Sequence, residues 1–324
     1  MPTYETVRQM NLILTLYYIE GLTQSEIAQR LGLSTAKVNR LLQQAREQGY
    51  INITIRTPFQ HLFDLEARLK AVFSLQEAIV IPAVGESTSS LLNIVGTVAS
   101  SFLLEHMHDG EVIGIGGGTA VHAVVQSIEP SRAYQVKVVP VFGAIQGDMT
   151  LDVNYLATQL AARLSGTAYQ LHAPAFVSNG DERKLLHEMA PIKEILDIAR
   201  QASILLVGVG TVDAEISRFA KFSALSPADM RRISADCGAV GEIAGTIYDI
   251  DGRTVAPEYV SRVIGLARPE LMAIPYRIGV AVTAAKASTL YGALRGNFLH
   301  ALITDETAAR GVLDLFDQNF RKAS

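Results

Sequence analysis

The amino-acid sequence predicts an α/β protein: an N-terminal winged helix-turn-helix followed by a doubly wound, mostly parallel α/β domain. Two patterns predict it. Two short amphipathic helices with capping residues and a glycine between them occupy residues 21–49. After residue 77, continuous apolar strands alternate with helices, which indicates a parallel sheet covered on both faces. We divide the chain into an N-terminal helix-turn-helix domain (1–57), a linker helix (58–76) and a C-terminal α/β domain (77–324).

The helix pair is predicted from its caps. Thr23 and Glu26 have the spacing of a capping box. Gly32 permits the left-handed conformation that a sharp helix end needs, and Ser34 caps the second helix. An amphipathic helix over 7–20 precedes the pair, which completes the three-helix order of many DNA-binding domains.

The start of the second helix is predicted to face the DNA major groove. Between residues 30 and 56 there are five basic side chains and one acid, Glu47. This charge favours phosphate contact over the alternative, an ordinary helical hairpin. Residues 50–55 alternate as a strand that suits a wing, with Ile51, Ile53 and Ile55 on one face. The predicted DNA contacts are Gln24, Ser25, Ser34, Thr35, Lys37, Asn39 and Arg40.

The amino-acid composition and the distribution of charge limit the kinds of protein that this chain can be. The chain has 324 residues, 49% of them hydrophobic, and a net charge of −4. Residues 1–58 carry six basic and four acidic side chains, whereas the remainder carries 22 and 28, so the positive end is the helix-turn-helix end. Cys237 is the one cysteine, which excludes an intramolecular disulfide and a cysteine-rich zinc site. With no signal peptide or apolar span in the sequence, we expect a cytoplasmic protein without membrane contact, metal or cofactor.

Residues 60–73 have apolar side chains at helical spacing and predict the linker helix. Two interpretations stay open for this segment: a helix packed on the larger domain, and a helix that forms a dimer.

The predicted elements after residue 77 alternate between strand and helix. In order they are strand 78–84, helix 90–106, strand 111–115, helix 120–128, strand 136–142, helix 153–164, strand 168–171, helix 190–201, strand 204–209, a turn and strand over 238–248, a strand edge at 259–264, strand 278–283, helix 284–295, strand 301–304 and a last helix from 306 to about 319. In such sheets, ligands bind beyond the carboxyl ends of the strands.

Two of these strand ends are rich in glycine. The first strand runs into Gly116, Gly117, Gly118 and Thr119 before a helix starts, and backbone N–H groups there can form an anion cradle. The second, over 205–213, ends in a similar way and includes Gly210. A tight turn without a ligand is the alternative in both cases.

Other side chains are predicted at the same edge of the sheet, beyond the carboxyl ends of the strands. Glu242 lies next to a glycine and suits sugar hydroxyls, or else it is a solvated turn acid. Lys286 follows strand 278–283 and suits a phosphate or a carbonyl oxygen, although an exposed helix lysine is the common case. Thr304 and Asp305 fit a helix cap better than a ligand. We find no convincing general acid/base pair beside the glycine segments.

Taken together, these segments resemble the SorC family of bacterial transcriptional regulators, also called SorC/DeoR-like. The resemblance covers nearly the whole chain, including LTQSEIAQRLGLSTAKVNRLLQQAREQGYINITI, LEARL, VIGIGGGTA, VVPVFGAIQ, NYLATQLAARL, LVGVGTVD, CGAVGEIAGTIYDIDG and ALRGNFLHALITDETAA. It implies an effector domain with the ribose-5-phosphate isomerase, glucosamine-6-phosphate deaminase and CoA-transferase fold. It also implies a small carbohydrate effector that changes operator affinity, and assembly into dimers or tetramers.

The resemblance assigns a role to each matching position. The family's phosphate-cradling loop falls on residues 116–119, its ligand acid on Glu242, where aspartate is more usual, and its ligand lysine on Lys286. The family usually has a glycine pair shortly before that lysine, whereas this chain has Ala281-Val282-Thr283-Ala284-Ala285. No arginine follows Phe142 to bind an anion either. Both departures keep an unphosphorylated sugar or polyol open beside a sugar phosphate.

The sequence therefore predicts a non-enzymatic, DNA-binding regulator of a carbohydrate catabolic operon. The predicted effector-binding residues are Gly116, Gly117, Gly118, Thr119, Gly210, Glu242 and Lys286. The alternatives are a sugar-phosphate isomerase or deaminase with an added helical domain, and a structural oligomer whose N-terminal domain contacts protein.

Overall fold

The computed structural model describes residues 3–51, 57–83, 87–213, 215, 217–221 and 225–323. The chain divides into two compact units, which meet in sequence after Pro58. Within the described residues, no helix is both long and apolar enough to cross a membrane.

The first unit contains three helices over its described residues: α1 (Tyr4–Leu14), α2 (Gln24–Leu31) and α3 (Thr35–Glu47). A π-helical turn, Thr15–Ile19, continues α1. Their core is a set of side chains at helical spacing, including Met10, Ile13, Leu16, Ile27, Val38, Leu42 and Ala45.

The predicted caps of the helix pair are confirmed. The Glu26 amide donates to Thr23 Oγ1 at 3.3 Å, and the Thr23 amide donates to Glu26 Oε2 at 2.8 Å, which closes a capping box. Gly32 ends α2 with a φ of 64°. The predicted wing strand lies largely outside the described residues, which omit 52–56, so it stays a prediction.

The second unit alternates helices and strands. Its helices are α4 (Gln60–Phe73), α5 (Thr88–His106), α6 (Thr119–Ser127), α7 (Val153–Leu164), α8 (Gly180–Glu188), α9 (Ala190–Ala199), α10 (Arg218–Lys221), α11 (Pro227–Arg231), α12 (Pro257–Val260), α13 (Arg268–Ala273), α14 (Ala287–Arg295) and α15 (Glu306–Ala323). Its strands are β1 (Glu77–Ile81), β2 (Val112–Ile115), β3 (Lys137–Pro140), β4 (Thr167–Ala168), β5 (Ile204–Gly208), β6 (Gly210–Thr211), β7 (Ala239–Ile243), β8 (Thr246–Asp249), β9 (Tyr276–Val280) and β10 (Ala301–Asp305). Short 3-10 turns occupy Met149–Leu151 and Ala284–Lys286, and a π-helical turn occupies Arg232–Asp236.

The main sheet has seven strands in the order β1-β10-β9-β5-β2-β3-β4, and every pair is parallel. Alternate residues of each strand enter two separate apolar cores. Ile204 and Leu206 pack with α5, α6 and α7 on one face, whereas Leu205 and Val207 pack with α4, α9, α14 and α15 on the other. The predicted doubly wound parallel sheet is therefore confirmed.

The helix predicted over residues 60–73 belongs to the second unit. Leu62, Leu69 and Phe73 are buried in the core that α14 and α15 share. Phe63, on the same helix, is 48% exposed.

A small antiparallel sheet, β6-β7-β8, lies outside the parallel one. The sequence predicted a turn and one strand over 238–248, whereas the structure has two strands there, β7 and β8, joined as a hairpin. Its turn consists of Ala244 and Gly245, with φ angles of 48° and 81°. Two consecutive residues with positive φ are the mark of a tight hairpin turn.

Other elements also differ from the sequence prediction. The strand edge predicted at 259–264 is wrong at its start: the short helix α12 lies there, because Pro257 takes the first helical position, where its missing N–H costs nothing. Further along, Val263 forms an antiparallel bridge with Phe176. Helix α8 was not predicted. None of its residues is buried, so it has no apolar stripe, and its sequence signal is the cap in which Asn179 Oδ1 accepts from the Glu182 amide at 2.9 Å.

Candidate functional site

The start of α3 presents polar side chains to solvent. Thr35, Lys37, Asn39 and Arg40 are exposed, whereas Val38, Leu41 and Leu42 of the same helix are buried. Ser34 has a structural task, because its Oγ accepts a hydrogen bond from the Lys37 amide at 3.2 Å. On α2, Ser25 is exposed and Gln24 is partly buried in the first turn.

The basic residues of the helix pair divide into two groups. Arg30 forms an ion pair with Glu20 at 3.1 Å, and Arg46 donates to the Tyr18 hydroxyl at 2.9 Å. Lys37 and Arg40 have no ion pair or side-chain hydrogen bond within the described part of the chain. The two cations near the start of α3 are therefore not used by the fold.

In the second unit, a cavity of about 590 Å³ lies beyond the carboxyl ends of β2, β5 and β9. It brings together all seven residues that the sequence predicted for effector binding, on the first glycine loop, β6, β7 and the turn after β9. Most of the remaining wall is apolar and includes Leu92, Phe142, Ile145, Leu151, Val209 and Phe219.

The loop between β2 and α6 differs in detail from the predicted cradle. The amide of Gly116 donates to Leu206 O at 2.9 Å and that of Gly118 donates to Leu151 O at 3.2 Å, so neither points freely at a ligand. The first amide bonded within α6 is that of His122, which donates to Gly118 O. The amides of residues 119–121 therefore have no acceptor inside the helix, and they are the donors that the helix start offers to a ligand.

Gly210 and Glu242 face each other across the β6–β7 pair. A Cβ atom on Gly210 would lie 1.8 Å from Glu242 Oε1, so only glycine leaves room for the carboxylate as placed. Glu242 Oε2 accepts from the Gly245 amide at 3.1 Å, in the hairpin turn. The sequence predicted Glu242 beyond the carboxyl end of a strand of the parallel sheet. In the structure Glu242 instead belongs to β7 of the antiparallel sheet.

Lys286 ends the 3-10 turn that follows β9 and is half-buried. Its Nζ donates to Val209 O at 3.1 Å, which ties the turn to the end of β5. Burial lowers the pKa of the Lys286 ammonium, and the Glu242 carboxylate opposes that effect. The common alternative, an exposed helix lysine, is therefore wrong for this residue.

The cavity thus holds a carboxylate and an amine together, on Glu242 and Lys286. The sequence analysis found no acid/base pair beside the glycine segments, because the two residues are 44 positions apart, Glu242 on β7 and Lys286 in the turn after β9. The predicted cap at the end of β10 is confirmed: Asp305 Oδ2 accepts from the Thr307 amide at 3.0 Å.

Four threonines of the cavity wall were not predicted as a group. Thr88, Thr119, Thr211 and Thr283 all line the cavity, and only Thr119 was named from the sequence as a ligand residue. The Thr211 hydroxyl accepts from the Asp213 amide at 3.1 Å. Thr283 was part of the segment where a glycine pair was expected, and its φ of 84° explains that expectation. Among the described residues, no cluster of His, Cys, Asp or Glu is arranged to hold a metal ion.

Two family models match the chain. Residues 57–314 match the sugar-binding domain family Sugar-bind, and residues 9–48 match region 4 of sigma-70 factors. The first match covers most of the second unit, including the whole described cavity wall. The second covers α2, α3 and the second half of α1 in the first unit.

Related proteins match over nearly their whole length. The transcriptional regulator LsrR of Escherichia coli K12 is 30% identical over 307 residues, which is 94% of each chain. The deoxyribonucleoside regulator of Bacillus subtilis is 28% identical over 302 residues, 92% of this chain and 95% of the relative. Among solved structures, the full-length sorbitol operon regulator SorC of Klebsiella pneumoniae superposes with a TM-score of 0.72 at 28% identity, covering 95% of this chain and 99% of that one.

Proposed function

Because the chain belongs to the SorC family of sugar-binding transcriptional regulators, we propose that it controls a carbohydrate catabolic operon through a small carbohydrate effector. The observation that carries the proposal is the single cavity that collects all seven predicted effector residues from four separate segments of the chain.

The DNA-binding side of the proposal rests on α2 and α3. In our proposal, α3 enters the major groove, with Thr35, Lys37, Asn39 and Arg40 directed at bases or phosphates. Lys37 and Arg40 support this role, since neither side chain is tied to another described residue. Gln24 and Ser25 would contact phosphates from the first turn of α2, while Ser34 would act mainly through its cap.

The effector side rests on the chemistry of the cavity wall. Glu242 is an acceptor for sugar hydroxyls, Lys286 is a donor, and the amides at the start of α6 suit an oxygen that carries negative charge. Gly210 leaves the space that the Glu242 carboxylate occupies. These groups suit a sugar, a polyol or a sugar phosphate.

We also propose that the protein is a cytoplasmic homo-oligomer, a dimer or a tetramer. Helix-turn-helix proteins commonly bind two half-sites as dimers, so one unit on one chain would read only half an operator. Phe59 and Phe63 are 50% and 48% exposed and give the α4 region an apolar surface that suits a second copy. Sedimentation velocity of the full chain tests this part of the proposal, and a monomer at micromolar concentration would contradict it.

A second function deserves a test because Glu242 and Lys286 share the cavity. A carboxylate beside an amine of lowered pKa is a possible acid/base pair for isomerising or deaminating a sugar phosphate. We propose instead that the protein is not an enzyme. Incubation of the purified protein with ribose 5-phosphate and glucosamine 6-phosphate should give no turnover, and turnover that Glu242→Gln abolishes would establish the enzymatic alternative.

The main proposal is tested with the DNA that lies upstream of the protein's own gene. Fluorescence anisotropy of a labelled fragment should show affinity that falls steeply as salt rises, because phosphate contacts release counterions. A panel of sugars, polyols and their phosphates is then added at fixed salt. At least one compound should change the affinity; if none does, the sensor role is lost, and if affinity is independent of salt, the DNA-binding role is lost.

A further inference from the structure

Thr283 lies on the cavity wall in a conformation that threonine rarely adopts. Its φ and ψ are 84° and 147°, in a region that is nearly restricted to glycine, and its branched Cβ makes the cost larger. Such a conformation persists only where the surrounding structure enforces it.

The support for Thr283 comes from the end of β10. Asp305 is fully buried, and its Oδ1 accepts a hydrogen bond from the Thr283 amide at 2.5 Å. The other carboxylate oxygen accepts from the amide and the hydroxyl of Thr307 at the start of α15. The strained residue is therefore anchored to the core through its backbone, which leaves its side chain to the cavity.

The hydroxyl of Thr283 is not used by the fold. Nearby threonines in the interior all use theirs: Thr304 donates to Ala281 O at 2.7 Å, and Thr289 donates to Val240 O at 2.8 Å. The Thr283 hydroxyl makes no such bond within the described part of the chain, and the same is true of Thr88 and Thr119. Three hydroxyls that line one cavity without a protein partner form a surface suited to a ligand with several hydroxyl groups.

The charged side chains of the wall cancel, so only the amides at the start of α6 favour an anionic ligand over an uncharged one. Glu242 and Lys286 are the charged side chains among the described residues that line the cavity, and their charges are opposite. Lys286 already donates to Val209 O. No arginine lines the described wall, although arginine pairs with two phosphate oxygens at once and is enriched where proteins recognise phosphate.

We propose that Thr283 determines effector specificity: its hydroxyl binds a hydroxyl group of an uncharged sugar or polyol, and its side chain occupies space that a phosphate would need. This inference rests on the proposed function, since it assigns the ligand class of the same cavity. Asp305 is the positioning residue that holds the Thr283 backbone in place.

The test compares ligand binding by three variants of the full-length protein. Isothermal titration is carried out with glucose, fructose, sorbitol and ribose, and with the phosphate monoester of each. Thr283→Val keeps the shape and the branched Cβ but removes the hydroxyl, Thr283→Ser keeps the hydroxyl, and Thr283→Gly relieves the strained φ. Thr167→Val, on the exposed edge strand β4, is the control for the same chemical change away from the cavity.

The wild-type protein should bind one uncharged compound more tightly than its phosphate. Thr283→Val should weaken that binding by about tenfold or more, the usual effect of leaving a ligand hydroxyl without its partner. Thr283→Ser should stay within about threefold of the wild type. Thr283→Gly should melt at the same temperature or higher, yet bind the uncharged compound more weakly, which separates a ligand role from a folding role.

Two results would overturn the inference while the proposed function stands. In the first, Thr283→Val binds the uncharged compound as tightly as the wild type does. In the second, the wild type binds a phosphate monoester more tightly than the uncharged compound. If the wild type binds no compound of the panel, the proposed function fails, and the inference fails with it. Titration of the wild type alone shows whether it prefers the phosphate or binds no compound, and titration of Thr283→Val decides the remaining case.

Discussion

Gly210 and Glu242 are direct partners across the β6–β7 pair, and the Glu242 carboxylate occupies the space where a side chain on residue 210 would begin. The glycine therefore does more than shape a turn. It allows an acidic side chain from the antiparallel sheet to reach the cavity at the ends of the parallel strands.

Gly210→Ala should displace Glu242 with little loss of stability. The atom in the way is the end of a flexible side chain, so we expect the unfolding free energy to fall by about 1 kcal/mol, the low end of the cost of overpacking. Effector affinity should fall about tenfold or more, because a hydrogen bond to the carboxylate is lost. Urea unfolding and titration with the effector check both values. Gly180→Ala is the control, because its Cβ would meet only Ser261 O, at 4.0 Å; equal effector affinity in the two variants would contradict the account.

Lys286→Met should change how stability depends on pH. Burial lowers the pKa of Lys286 in the folded protein, so the unfolded chain binds more protons between that pKa and the ordinary value of 10.5. The free energy of unfolding of the wild type should therefore rise with pH across that interval. At pH values below the interval, the penalty for burying the charged ammonium should be largest. The methionine variant should lack this part of the pH dependence.

The measurement for Lys286 is the unfolding free energy between pH 7 and about pH 10, taken as the difference between wild type and variant. Lys193→Met removes an exposed lysine of α9 and is the matched control. A difference curve that is flat for Lys286→Met would mean that the folded protein does not disfavour the ammonium form.

Arg40→Ala and Lys37→Ala should weaken DNA binding without unfolding the first unit. Each side chain is exposed and makes no side-chain bond to other described residues, so its loss should change stability by less than about 0.5 kcal/mol. When a residue that contacts phosphate is removed, the slope of log affinity against log salt concentration should become shallower by about one. Lys193→Ala removes the same charge from the second unit and should leave the slope unchanged. Wild-type salt slopes in both α3 variants would place the DNA contact elsewhere.

Ser34→Ala should act through stability, in contrast to Thr35→Ala. The Ser34 hydroxyl caps α3, and loss of a serine cap typically costs about 1 kcal/mol. Thr35 is exposed at the first position of the helix and has no cap role, so its alanine variant should unfold like the wild type. Circular dichroism during thermal unfolding tests this difference. A Thr35 variant less stable than the Ser34 variant would reverse the two roles.

Local patterns predicted much of this architecture. The capping box of Thr23 and Glu26, the left-handed Gly32 and the helix over 60–73 each follow from a few neighbouring residues, and the structure has all three. The buried strands were found because they are covered on both faces and are therefore continuously apolar. Helix α8 was missed because it buries no residue and so has no such pattern.

The cavity was predicted only in part, because its chemistry depends on contacts between distant segments. Gly210 and Glu242 could each be singled out, but their pairing is set by the antiparallel register. The burial of Lys286 depends on the end of β5, to which its amine is bonded. The strained conformation of Thr283 depends on Asp305, 22 residues away, and no local pattern predicts that hydrogen bond.

The central claim is that the cavity controls DNA binding, and one measurement tests it most directly. Operator affinity of the wild type and of Glu242→Gln is measured by fluorescence anisotropy with and without the compound that binds the wild type. We predict that the compound changes wild-type affinity by about 5- to 150-fold, the usual range of coupling between two sites. Glu242→Gln should keep its ligand-free operator affinity and lose most of the response. A variant that responds to the compound as fully as the wild type, or a wild type whose affinity the bound compound leaves unchanged, would contradict the account.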